Sequence, residues 1–139
     1  MQKTSIDIER DMFALVKGSA LAEEVNGDVY RSNMRPPESE LEDIVVRFTA
    51  GVDSQIQTGV VSVNIYTISK RLNDGREVDD KNRCGTLLTL FYAMIEASIA
   101  SSGYDLSTDG SPRIEFDNEA KKFVICGRIR YRYLDVDYK

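Results

Sequence analysis

From Lys122 to Leu134 the chain alternates between two kinds of side chain over thirteen residues. Phe123, Ile125, Ile129, Tyr131 and Tyr133 fall on one parity; Val124, Cys126, Arg128, Arg130 and Arg132 fall on the other. A period of two over that length is the pattern of a half-buried strand, apolar on its core face and charged on its outer face. Gly127 interrupts it and marks a candidate bulge. A second run, Val60 to Ile68, places Val61, Val63 and Ile65 on one face and Ser62, Asn64 and Tyr66 on the other. This alternation is that of half-buried antiparallel strands, and helices are expected to cover the apolar face of their sheet.

The sequence supplies two. Ile8, Met12, Leu15 and Val16 form an apolar stripe behind the capping residues Thr4 and Ser5, and Gly18 closes that helix. A short further turn runs from Ala20 to Val25. From about Arg83 to Ala100, Leu88, Phe91, Tyr92, Ile95 and Ile99 give the principal cover of the sheet, capped by Asp79, Asp80 or Asn82. Asp28–Arg31 reads as a short strand, and Ile44–Thr49 as a strand pairing with Val60–Ile68 around a projecting loop at 51–57. Residues 32–40 and 69–82 read as polar loops, and Arg113–Phe116 as a strand turning back at Asp117–Ala120. The predicted fold is α+β, one domain over residues 1–139. A single mainly antiparallel sheet of about four to five strands carries two helices on one face, in the order α-β-β-β-α-β-β.

Composition removes several kinds of chemistry. The chain has 139 residues, enough for a core without disulfide or metal staples. It has no histidine, which eliminates Ser-His-Asp and Cys-His catalysis and every histidine metal site. Its two cysteines, Cys84 and Cys126, form no CxxC pair; Cys126 reads as a small buried hydrophobe. No phosphate-binding glycine motif or nucleophile elbow is present. Asp109 with Glu119 and Lys121 matches the acid…ExK spacing of metal-dependent nucleases only loosely, because Glu119 falls in a polar turn. Asp79-Asp80 is accounted for by helix capping. No catalytic residue, cofactor or metal ligand is assigned, and the expectation is a protein that is not an enzyme. Met1–Ser5 lacks a signal-peptide apolar region and no run approaches a membrane span, so a cytosolic protein without membrane contact is expected.

Charge is distributed unevenly. Residues 121–139 hold six basic groups against two acidic ones, in a chain of net charge −5. Arg128, Arg130 and Arg132 therefore project from an otherwise acidic molecule. Three readings follow. They pair with carboxylates on a neighbouring strand. They meet the acidic segment Glu38, Glu40, Glu42 and Asp43 of another copy, fixing orientation and register. Or they contact a nucleic-acid backbone, which the global charge opposes. Tyr131 and Tyr133 alternate with the arginines and so face the core, unlike the aromatics of single-strand-binding sheets.

The succession of a helix beginning Ile8-Glu9-Arg10-Asp11-Met12, the turn into Gly27-Asp28-Val29-Tyr30, a Pro-containing loop, Ile44–Phe48, Val60–Tyr66 and an apolar helix resembles the tail-completion and tail-terminator (head-tail joining) proteins of long-tailed bacteriophages. The resemblance spans Ile8 to Leu134 and lies in element order and hydrophobic pattern. It implies a small α/β structural protein, made in the bacterial host cytoplasm and placed at the virion neck. There it would form a ring, usually a hexamer, against tail-tube and head-connector proteins, with the 51–57 and 69–82 loops as candidate contacts. The alternative function is a small nucleic-acid-binding accessory protein using Arg128, Arg130 and Arg132.

Overall fold

The computed structural model describes residues 2–98 and 103–134. The chain is α+β, and its elements run α1 (Ser5–Lys17), α2 (Ala20–Glu24), β1 (Val29–Arg31), β2 (Ile44–Val52), β3 (Ile56–Thr67), β4 (Ser69–Arg71), β5 (Glu77–Asp79), α3 (Lys81–Ser98), β6 (Asp105–Thr108), β7 (Arg113–Asp117) and β8 (Lys122–Leu134). The main sheet has six strands, in the order β1-β2-β3-β8-β6 with β7 also on β8.

Strands β3 and β8 form its spine, antiparallel and in unbroken register from Ile56↔Leu134 to Thr67↔Phe123. That register puts Val61, Val63, Ile65, Ile125, Ile129 and Tyr131 on one face, where all are buried. Helices α1 and α3 bring Ile8, Met12, Val16, Leu87, Phe91 and Met94 into the same core. Thr4 caps α1 through a reciprocal pair of hydrogen bonds with Asp7.

The sheet departs from expectation in several places. It is mixed, because β1 pairs β2 in parallel. It has six strands, because Asp105–Thr108, which carries a single apolar residue, pairs with Ile129–Arg132 of β8 to become β6. Residues 69–82 contain a second small sheet, β4 with β5, held by backbone pairing. Among the described residues there are three helices, since Ala20–Glu24 is an element of its own. The β2–β3 connection is only Asp53–Gln55, and β3 is paired with β8 up to its first residue, so no long loop projects there. The bulge lies in β2, between Phe48 and Ala50, and not at Gly127. Gly127 is required for another reason: a Cβ there would lie 2.9 Å from the Phe91 ring and 3.1 Å from the Val63 carbonyl. In α3 the buried side is Cys84, Leu87, Phe91, Met94, Ile95 and Ser98, while Tyr92 is exposed and Ile99 lies outside the described residues.

Candidate interaction surface

The strand parity that buries Ile125, Ile129 and Tyr131 turns Arg128, Arg130 and Arg132 outward, and all three are exposed. Among the described residues no helix covers this face. Register extends the basic row sideways: Arg47 of β2 lies opposite Ser62 of β3, which lies opposite Arg128. Arg47 is exposed and has no ion pair among the described residues, and the same is true of Arg132. Ser62 is held by a 2.6 Å hydrogen bond with Thr49, so the row rests on a fixed strand pair.

Among the described residues, one carboxylate answers the stripe from within the molecule. Asp109 follows β6, and its backbone N–H donates to the Arg128 carbonyl at 2.9 Å. This bond bridges the gap between β6, which flanks Ile129–Arg132, and β7, which flanks Lys122–Cys126. The Asp109 side chain accepts from Arg130 at 2.5 Å and lies 3.2 Å from Arg128 Nε. The expected pairing with a neighbouring carboxylate is therefore present, but for two arginines of the stripe and through one shared acid. Exposed pairs of this kind contribute at most about 1 kcal/mol each. Nothing in such a pairing removes the arginines from reach of a partner.

The other half of the outer face is covered. Residues 32–43 fold across it, with the Arg35 guanidinium 4.0 Å above the Tyr66 ring and Lys122 Nζ donating to the Glu40 carbonyl at 2.9 Å. This cover explains why Val124, on the outward parity, is buried, and why Cys126 is only half-buried beside Glu115.

The acidic segment divides sharply. Glu38 and Glu40 are exposed, with no ion pair among the described residues. Glu42 and Asp43 are 3% and 0% exposed, which overturns their reading as surface contacts. Glu42 receives two hydrogen bonds from Arg83, at 2.8 and 2.7 Å. Asp43 receives Arg35 Nε at 3.0 Å, the Ser39 hydroxyl at 2.6 Å and the Asp28 N–H at 3.1 Å. Buried carboxylates stay charged only with such partners, so these two are committed to the fold.

Glu119 and Lys121 sit in the β7–β8 turn, six strand residues from the Arg128 level where Asp109 lies, or roughly 20 Å. The loose acid…ExK set is not brought together. Among the described residues no group of three or more His, Cys, Asp or Glu could hold a metal ion. Asp80 accepts the Arg83 N–H at 3.1 Å and caps α3, while Asp79 pairs with Lys81. Both cysteines are free, and burial pushes both thiols up, so neither is activated toward reaction. Among the described residues no helix is long and apolar enough to cross a membrane.

Two members of this surface escaped the sequence reading. Arg47 could have been found, since it shares a parity with Val45 and Thr49 inside Ile44–Thr49. Asp109 could not, because its role depends on β6 giving way to β7 beside β8. No known family's sequence model matches the chain, and no curated protein matches it. The fold and surface define an α+β protein with one helix-covered sheet face and an outer face that is half looped over and half open and basic.

Proposed function

We propose that this chain is a structural protein of a long-tailed bacteriophage or prophage neck, assembling with copies of itself into a ring that ends the tail tube. A hexamer is what the family resemblance suggests, with tail-tube and head-connector proteins as neighbours above and below. The observation that carries the reading is the open half-face: Arg47, Arg128, Arg130 and Arg132 on a continuously paired strand core, with Asp109 alone among the described residues answering two of them. A rigid basic surface on a chain of net charge −5 is suited to meet another copy. Its counterpart is the exposed pair Glu38 and Glu40 at the opposite end of the same face, with Glu42 and Asp43 supporting the loop from inside.

The mechanism is surface complementarity. The arginines set orientation and register, and the fixed β3–β8 spine keeps their spacing constant, so little ordering entropy is lost when they dock. Sedimentation velocity on charge-reversal variants tests this. Arg130→Glu with Arg132→Glu should abolish the oligomer, and mixing with a Glu38→Lys, Glu40→Lys variant should restore it. Oligomer unaffected by the reversal refutes the interface. Retention on DNA at low salt, lost on the arginine reversal, would instead establish the nucleic-acid reading of the same residues.

A further inference from the structure

Residues 2–4 cross the helix-covered side of the sheet at the end opposite the acidic loop, and four elements converge on Lys3. Gln57, 0% exposed at the start of β3, grips its backbone from both sides. Its Oε1 accepts the Lys3 N–H at 2.9 Å, and its Nε2 donates to the Lys3 carbonyl at 2.8 Å. The same Nε2 reaches Asp53 in the β2–β3 connection at 3.2 Å. The side-chain amide thus pairs with one residue as a strand would and ties it to the hairpin tip.

The Lys3 ammonium enters a cage. It pairs with Asp11 of α1 and stands 5.1 Å from the centroid of Tyr104, just ahead of β6, and 4.7 Å from that of Tyr133, at the end of β8. The Tyr104 hydroxyl donates to the same Asp11 oxygen, and the two tyrosine rings lie 5.2 Å apart. A cation held by two rings and a half-buried carboxylate is far better fixed than a solvent-exposed lysine.

We propose that Gln2–Thr4 is a strap latched by Lys3, and that it decides whether the hairpin tip, the start of β6 and the end of β8 are ordered together. With Lys3 seated, these segments form one unit with α1. With Lys3 out, they open locally while the middle of the β3–β8 spine stays closed. The inference stands apart from the assembly reading, because it concerns a single copy of the chain.

Hydrogen exchange by mass spectrometry on the full chain tests it. Lys3→Met keeps the aliphatic stem and removes the cation; Gln57→Ala removes the grip. Each should speed amide exchange by about tenfold or more in 53–58, 104–106 and 132–134, with 61–66 and 124–127 unchanged. Should Gln57→Ala not fold, Lys3→Met decides alone. Exchange at the wild-type rate in those three segments overturns the strap, and so does an equal acceleration across the whole sheet.

Discussion

Replacing Arg83 by Met would leave Glu42 buried and unpaired. The guanidinium gives both of its Glu42 hydrogen bonds in the side-on, two-point arrangement, and it also donates to the Glu24 carboxylate at 2.9 Å and the Glu24 carbonyl at 2.8 Å. The hydrogen bonds to Glu42, and then to Glu24, hold it charged well above the ordinary arginine range. Removing one partner of a buried ion pair costs about 3–5 kcal/mol. Arg83 keeps 21% side-chain exposure, so solvent screens part of the interaction and the lower figure, about 3 kcal/mol, applies. For a chain of this length that corresponds to a fall in Tm of roughly 10 °C. Urea unfolding should show a lower midpoint at unchanged slope. Replacing Glu42 by Met as well removes the stranded charge and should recover most of the loss, because an apolar pair of similar volume substitutes well for a buried ion pair. A loss below about 1 kcal/mol in Arg83→Met, or no recovery in the double variant, would refute the assignment of Glu42 to the fold.

Gly127→Ala should cost about 1–3 kcal/mol by driving a methyl group into Phe91, with partial recovery from Phe91→Leu, as read by urea unfolding. Acid sensitivity should trace in part to Asp11. Burial alone would raise its carboxyl, but hydrogen bonds from Lys3 and Tyr104, with the charges of Lys3 and Arg10, outweigh it and hold the group below its ordinary 3.8. A lowered folded-state value gives stability that is present above the ordinary value and is lost as pH falls through the folded one. Thermal melts of Asp11→Asn should therefore lose less stability than the wild type between pH 5 and pH 2, both figures being about one to two pH units either side of the carboxylate range. Asp109→Asn should lower stability by less than about 1 kcal/mol, since its arginine partners are exposed, and sedimentation should show the oligomer retained.

How legible the fold was depended on whether an element carried its own apolar period. β8 and β3 did: Phe123 through Tyr133 and Val61 through Ile65 alternate cleanly, and both strands lie where that pattern puts them. The stripe of α3 slipped, from Leu88 and Tyr92 to Leu87 and Met94, because Leu87, Leu88, Leu90, Phe91 and Tyr92 make the helix apolar almost all round and blur its phase. β6 is formed by backbone pairing with β8, and β4 and β5 by pairing with each other, and Ser69–Arg71 or Asp105–Thr108 gives no periodic sign of it. The outward arginines were legible from parity alone. The division of the acidic segment was not, because a run of carboxylates looks the same whether solvated or buried. What separates Glu42 from Glu40 is an arginine 41 residues away that only the packing of α3 brings to it.

Native mass spectrometry of the unaltered protein, paired with electron microscopy of the same sample, bears most directly on whether the molecule acts by fitting against copies of itself. A discrete multiple of the 15.7 kDa chain, imaged as a closed ring with a central opening, is the predicted result. A particle that remains a 15.7 kDa monomer at high protein concentration and low salt would contradict it.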